Sequence, residues 1–188
     1  MPYDPLAIAN YFIDLAKSKG EDISPMKLQK LIFFSHGWNL AVKDAPLIDE
    51  QIEAWSFGPV IRSVYRTFRE YGDRPITEKG RSFHHKGIPD ASGQVSHWRV
   101  PSIDDEPELA TFTTQLLDKI WEIYGRYSAI QLSNMTHDPG SPWDHAVKRC
   151  KEENGGQLLK GTDIPTAVIK EYFTARLKRG SHPHDERS

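Results

Sequence analysis

Three times in this chain a helix-capping residue stands directly before a proline, and an apolar pattern of helical period follows: Asp4-Pro5, Ser24-Pro25 and Ser141-Pro142. A Ser or Asp side chain there accepts a hydrogen bond from one of the first free N–H groups of a helix. Proline supplies the helical backbone angle and lacks an N–H that would go unpaired. These signals fix the starting points of three helices. After the first, Leu6, Ala9, Phe12, Ile13 and Ala16 recur at helical spacing until Gly20. After the second, Leu28, Leu31, Ile32 and Ser35 mark one face, which Phe33, Phe34, Trp38 and Leu40 widen, so this helix is expected to be buried on most sides.

Between and beyond these anchors the pattern stays mainly helical. Lys43-Asp44-Ala45-Pro46 ends the second helix, and Ile52-Glu53-Ala54-Trp55 reads as an extended stretch. Gly58-Pro59 is expected to turn it directly into a third helix over 60–70, with Trp55 packing on the domain. Val60, Ile61, Val64, Tyr65 and Phe68 would face inward, with Arg62, Arg66 and Arg69 stacked on another face. Residues 72–103 read as an exposed, loop-rich insertion in which 94–100 alternate like a strand. The acidic run Asp104, Asp105, Glu106, Glu108 suits a helix N-terminus. Leu109, Phe112, Leu116, Ile120 and Tyr124 then predict the longest helix, up to Gly125. Ser128 opens a short helix through Met135, Ser141-Pro142 opens one carrying Trp143, Ala146, Val147 and Cys150, and a last begins near Pro165 with Val168, Ile169, Tyr172, Phe173 and Leu177. The expected fold is mainly α, a compact single-domain bundle of about six to seven helices over 1–179, with small β elements in 48–56 and 94–100. The tail 180–188 has nothing to bury and is expected to be disordered.

Composition narrows the function. A chain of 188 residues with one cysteine, Cys150, has no internal disulfide and no four-cysteine zinc site, which suits a reducing cytoplasm. No apolar run approaches the roughly 18 residues of a membrane span. A net charge of -2 argues against global attraction to nucleic acid or anionic membrane. The basic middle, Arg62, Arg66 and Arg69 with Arg74, Lys79, Arg81 and Lys86, suits phosphates, an acidic protein partner or simple solvation. Eight histidines, among them His84, His85, His97, His137 and His145, fall at no metal-ligand spacing, so neither a metal nor another cofactor is expected. Ser133 and His137, four apart on a helix, would be the one nucleophile–base pair, but no glycine-flanked elbow accompanies them, and Ser133 can be satisfied by helix backbone. Asp138 and Asp144 stand where capping accounts for them. Phosphate-binding glycine loops are absent. A binding module fits better than an enzyme.

Three stretches taken together resemble the SocA-like antitoxin family, also called the Panacea domain, and related phage-associated proteins. They are Lys27-Leu28-Gln29-Lys30-Leu31-Ile32-Phe33-Phe34 with Trp38, then Glu53 through Trp55 and Gly58-Pro59 to Val60, and later Leu132-Ser133 through His137 to Pro142-Trp143. The resemblance covers roughly residues 4–150. It implies a helical domain that neutralises a cognate toxin by direct binding in a toxin–antitoxin system. One branch implies a further partner, a cytoplasmic protease to which the toxin is delivered. Lys27, Gln29 and Lys30 would sit on the exposed side of their helix, either touching a partner or bonding neighbouring loops. Arg62, Arg66 and Arg69 are further candidates for partner contact. His137 would hold the loop before Pro142 by bonding backbone, and Trp143 would fill a gap between the short helices and the long one.

Overall fold

In the computed structural model, which describes residues 1–89 and 92–180 apart from the side chains of residues 84–86, each cap-proline signal starts a helix. The order is α1 (Pro5–Ser18), α2 (Pro25–Lys43), β1 (Ile52–Trp55), β2 (Gly58–Ile61), α3 (Arg62–Phe68), β3 (Ser82–Pro89), β4 (Val95–Arg99), α4 (Pro107–Tyr124), α5 (Ala129–Thr136), α6 (Pro142–Glu153) and α7 (Thr166–Arg179). Asp4 accepts from Leu6 N at 2.9 Å, Ser24 from Lys27 N at 3.4 Å and Ser141 from Asp144 N at 3.1 Å. Ser128 opens α5 with a full capping box, its hydroxyl taking Gln131 N while the Gln131 side chain takes Ser128 N. The side chains of His84, His85 and Lys86, and residues 181–188 of the 180–188 tail expected to be disordered, lie outside the described residues.

α2 is the axis of the molecule. It packs against α1, α3, α4, α5, α7 and β2, which leaves it no polar face, and even Gln29, Lys30, Ser35, His36 and Asn39 are buried. Phe173 of α7 enters its surface edge-on to Phe33, Phe34 and Trp38, with centroids 5.9, 6.4 and 5.2 Å away. On the other side Phe34 stacks on Tyr124 of α4 at 4.3 Å, and Trp38 Nε1 donates to the Tyr124 hydroxyl at 3.1 Å. The roots of the 72–103 segment are tied to α1: buried Asn10 accepts from Gly80 N and donates to the carbonyls of Gly80 and Pro101. Beyond those ties β3 and β4 form an antiparallel hairpin whose Val95 and Trp98 are exposed, so the weak β signal there is a real ribbon.

Several elements differ from what the sequence predicts, and Tyr65, expected to face inward, is 39 % exposed. Val60 and Ile61 do not begin α3; they pair with Glu53 and Ile52 as β2. Gly58-Pro59 therefore starts a strand, and the chain reverses one step earlier, at Ser56-Phe57. A helix and a strand bury these two apolar neighbours equally well, and α3 starts only where Glu50 accepts from Ser63 N at 2.8 Å. In α4 the buried stripe is Thr113, Leu117, Ile120, Trp121 and Tyr124, while Leu109 is exposed and Phe112 and Leu116 are half-buried, because Trp121 packs against Phe12. α2, of 19 residues, is longer than α4, of 18. In α7, Leu177 is exposed.

At Gly37 the α2 backbone lies close against α7, since an added Cβ would overlap the Phe173 ring. Alanine for glycine inside a helix normally stabilises by about 1 kcal/mol. Here overpacking of about 1–3 kcal/mol outweighs that gain. The denaturation midpoint of Gly37→Ala is expected to fall below that of the native chain; a rise would show that Phe173 moves aside freely.

A candidate partner-binding face around the first hairpin

The β1–β2 hairpin is four residues long on each side, and both of its edges are bonded from elsewhere in the chain. On the β1 edge, residues 162–164 act as a third strand: Ala54 N donates to Thr162 O at 2.7 Å and Ile164 N to Ile52 O at 2.8 Å. On the β2 edge a side chain does the work of a strand. Gln29 Oε1 accepts from Ile61 N at 2.8 Å and its Nε2 donates to Ile61 O at 3.0 Å. The next outward carbonyl, Pro59 O, accepts from Lys30 Nζ at 3.0 Å, and Pro59 has no N–H to leave unpaired.

The turn is held as closely. Trp143 Nε1 donates to Trp55 O at 2.8 Å, Ser133 Oγ donates to Phe57 O at 2.9 Å, and His137 Nε2 lies 3.3 Å from Ser56 O. Three consecutive carbonyls thus face side chains of α5, its C-terminal end and α6. Gly58 fits there on two counts: its φ is +99°, and a Cβ would sit 2.5 Å from Thr136 Oγ1 and 2.8 Å from Lys30 Nζ. What this cage presents to solvent is Phe57, 74 % exposed at the tip.

These contacts revise the roles expected of the candidate residues. Gln29 and Lys30 are not on an exposed side of α2, at 5 % and 1 % exposure, and their bonds go to strand β2 where neighbouring loops were expected. Lys27 is half-buried, donates to Gly125 O at the end of α4 and lies 5.4 Å over the Trp121 ring. Arg62 is held by buried Glu53, 2.6 Å from its carboxylate, whereas Arg66 and Arg69 are exposed. His137 meets backbone of its own helix and of the hairpin turn instead of the loop before Pro142, with Nδ1 2.6 Å from Ser133 O. A carbonyl only accepts, so that nitrogen carries the proton. Ser133 and His137 share a helix face, but the Ser133 hydroxyl is spent on Phe57 O, which leaves no nucleophile–base contact between them. Trp143 packs on the His137 ring, centroids 3.8 Å apart, and on β1 rather than against the long helix α4.

Beside the turn lies a groove of about 650 Å³ between the start of α2, the hairpin and the 158–160 loop. Trp55, Val60, Tyr65, Leu158 and Leu159 form its walls, with Phe57 at the lip and Lys30 and Arg69 among its lining. The loop wall is fastened by Cys150 of α6, whose sulfur accepts from Leu159 N at 3.4 Å and Thr162 Oγ1 at 3.1 Å. Sequence reasoning missed this wall, because nothing in Gln157–Thr162 marks it as neighbour to a hairpin a hundred residues earlier. A second cavity, of about 540 Å³ between α1 and residues 100–104, has its polar lining already engaged: Lys79 with Asp14, Tyr11 with Asp118, Asn10 with backbone. Among the described residues no three His, Cys, Asp or Glu side chains gather as a metal site would require, and no helix is long and apolar enough to cross a membrane.

Residues 28–144 match the family model described as antitoxin SocA-like, Panacea domain. Antitoxin SocA of Caulobacter vibrioides (strain NA1000 / CB15N) is 36 % identical over 170 residues, covering 90 % of this chain and 82 % of that protein. The chain belongs to the SocA-like Panacea antitoxin family. No solved structure matches it. The matched stretch of this Panacea domain contains Gln29, Lys30, Ser133, His137 and Trp143, the side chains that hold the hairpin.

Lys30 is the unusual member of that set. Burial pushes its amine down to about 7. In the unfolded chain the same group titrates near about 10.4. Between these values the unfolded state holds more protons than the native one, so stability rises with pH across that window. The stability of the native chain is expected to gain on that of Lys30→Met as pH rises from about 7 to about 10, by an amount on the order of a few kcal/mol at most. Parallel profiles in urea titrations would show that Lys30 titrates normally.

Proposed function

We propose that this chain is a non-catalytic antitoxin that neutralises a cognate toxin in the cytoplasm by binding it directly, with the hairpin turn as the docking element. Family membership supports the antitoxin role. The observation that carries the direct-binding reading is Phe57: a large aromatic, 74 % exposed, on a turn whose Trp55 and Phe57 carbonyls are tied down by Trp143 and Ser133. An exposed phenylalanine on a loose loop would lose much of its binding energy to ordering. On a fixed turn it is an anchor whose entropy is spent at folding. Ser133 and His137, the residues a hydrolase would need, serve that turn instead.

Co-expression with the toxin from the adjacent reading frame is expected to restore growth and give a complex that co-purifies. Phe57→Ala should weaken the complex by about tenfold or more, the range of an interface hot spot. Its melting temperature should stay unchanged, because the side chain is in solvent. Following toxin lifetime in the same cells separates occlusion, in which it is constant, from promoted degradation, in which it shortens. A chain that neither binds the toxin nor rescues growth would refute the proposal.

A further inference from the structure

The groove beside Phe57 has a one-sided charge. Its charged lining residues are Lys30, Arg69 and Lys160, and no Asp or Glu lines it. Lys30, 1 % exposed, donates to Pro59 O but enters none of the ion pairs among the described residues. Burial without a carboxylate weakens the hold of that amine on its proton, and an incoming anion would favour the protonated form. Arg69 meets only the carboxylate of its sequence neighbour Glu70, both well exposed, a contact of the kind that contributes little. The walls are apolar and aromatic, and the volume falls in the range of pre-formed binding sites.

We infer that this groove receives an acidic segment of the toxin, in which an Asp or Glu stands beside an aromatic or aliphatic side chain. This rests on the direct-binding reading above and adds the chemistry of the partner. The apolar side chain lies against Trp55, Val60, Tyr65 and Leu159, and the carboxylate faces Arg69 and Lys160, above Lys30. Phe57 at the lip enters the partner in return. Of the basic stripe, Arg69 belongs to this surface, whereas Arg62 is committed to Glu53.

The test uses the full chain and the toxin from the adjacent reading frame. Arg69→Glu with Lys160→Glu, both at the surface and outside the cage that fixes the hairpin, should keep the native melting temperature and weaken toxin binding by about a hundredfold. The native complex should weaken as salt is raised, and the doubly reversed variant should lose that dependence. Lys119→Glu, exposed on α4 and outside the groove lining, should bind as the native chain does. Reversing an acidic residue of the toxin to Lys should restore binding to the double variant. If the double variant binds like the native chain while Phe57→Ala does not, the groove inference falls and the direct-binding reading stands. If the native chain binds no toxin, both fall. A homodimer by light scattering that the double variant dissolves, or salt-dependent retention on RNA or DNA that it abolishes with toxin binding intact, would assign the groove to another occupant and overturn the inference.

Discussion

A two-stranded ribbon with four-residue strands cannot stand alone in water, because both edges expose backbone groups that nothing within the ribbon pairs. The β1–β2 hairpin exists because the helices complete it. Gln29 supplies a carbonyl and an amide in the positions a neighbouring strand would offer, Lys30 takes the next carbonyl, and residues 162–164 close the opposite edge. The side chains that bond the turn, Ser133 and Trp143, come from α5 and α6; α5 packs on the enclosed α2, and α6 on α5. An unmet buried N–H or C=O costs about 1–3 kcal/mol, so the enclosure of α2 and the shape of the hairpin depend on each other. The burial of two polar side chains between Leu28 and Leu31 follows from this interdependence.

That interdependence also explains what the sequence made legible. Helix starts are local events, governed by a cap side chain and a proline within one turn, so α1, α2, α5 and α6 are visible in sequence to within a residue. The family was legible too, through three stretches whose residues turn out to meet at one hairpin. What was hidden depends on distant partners. Gln29 and Lys30 carry the polar pattern of a solvated helix face, and only the backbone of a strand some thirty residues later makes that face an interior one. The end of the hairpin was hidden for a related reason: Val60 and Ile61 satisfy helical and strand periodicity alike, and pairing with Ile52 and Glu53 decides between them. In α4 two overlapping apolar stripes compete, and Phe12 selects the one containing Trp121.

The same geometry separates holding from meeting among the candidate residues. Gln29, Lys30, Ser133, His137 and Trp143 face inward and fix the turn, while Phe57, Arg69 and the groove walls face outward. The turn's backbone is therefore set without reference to what Phe57 or its neighbours touch. Lys30 belongs to both groups. Its bond to Pro59 O holds the strand edge, and its amine lies beneath a groove that Arg69 and Lys160 rim.

Side chains from the helices order the hairpin turn before any partner arrives. Backbone 15N order parameters at the Ser56, Phe57 and Gly58 amides of the free chain measure this. Values near the rigid-backbone level of about 0.85 are expected, falling below about 0.6 at these amides alone in a chain carrying Ser133→Ala with His137→Ala. Low values at the turn of the free native chain, or a rigid turn in the double variant, would contradict this ordering.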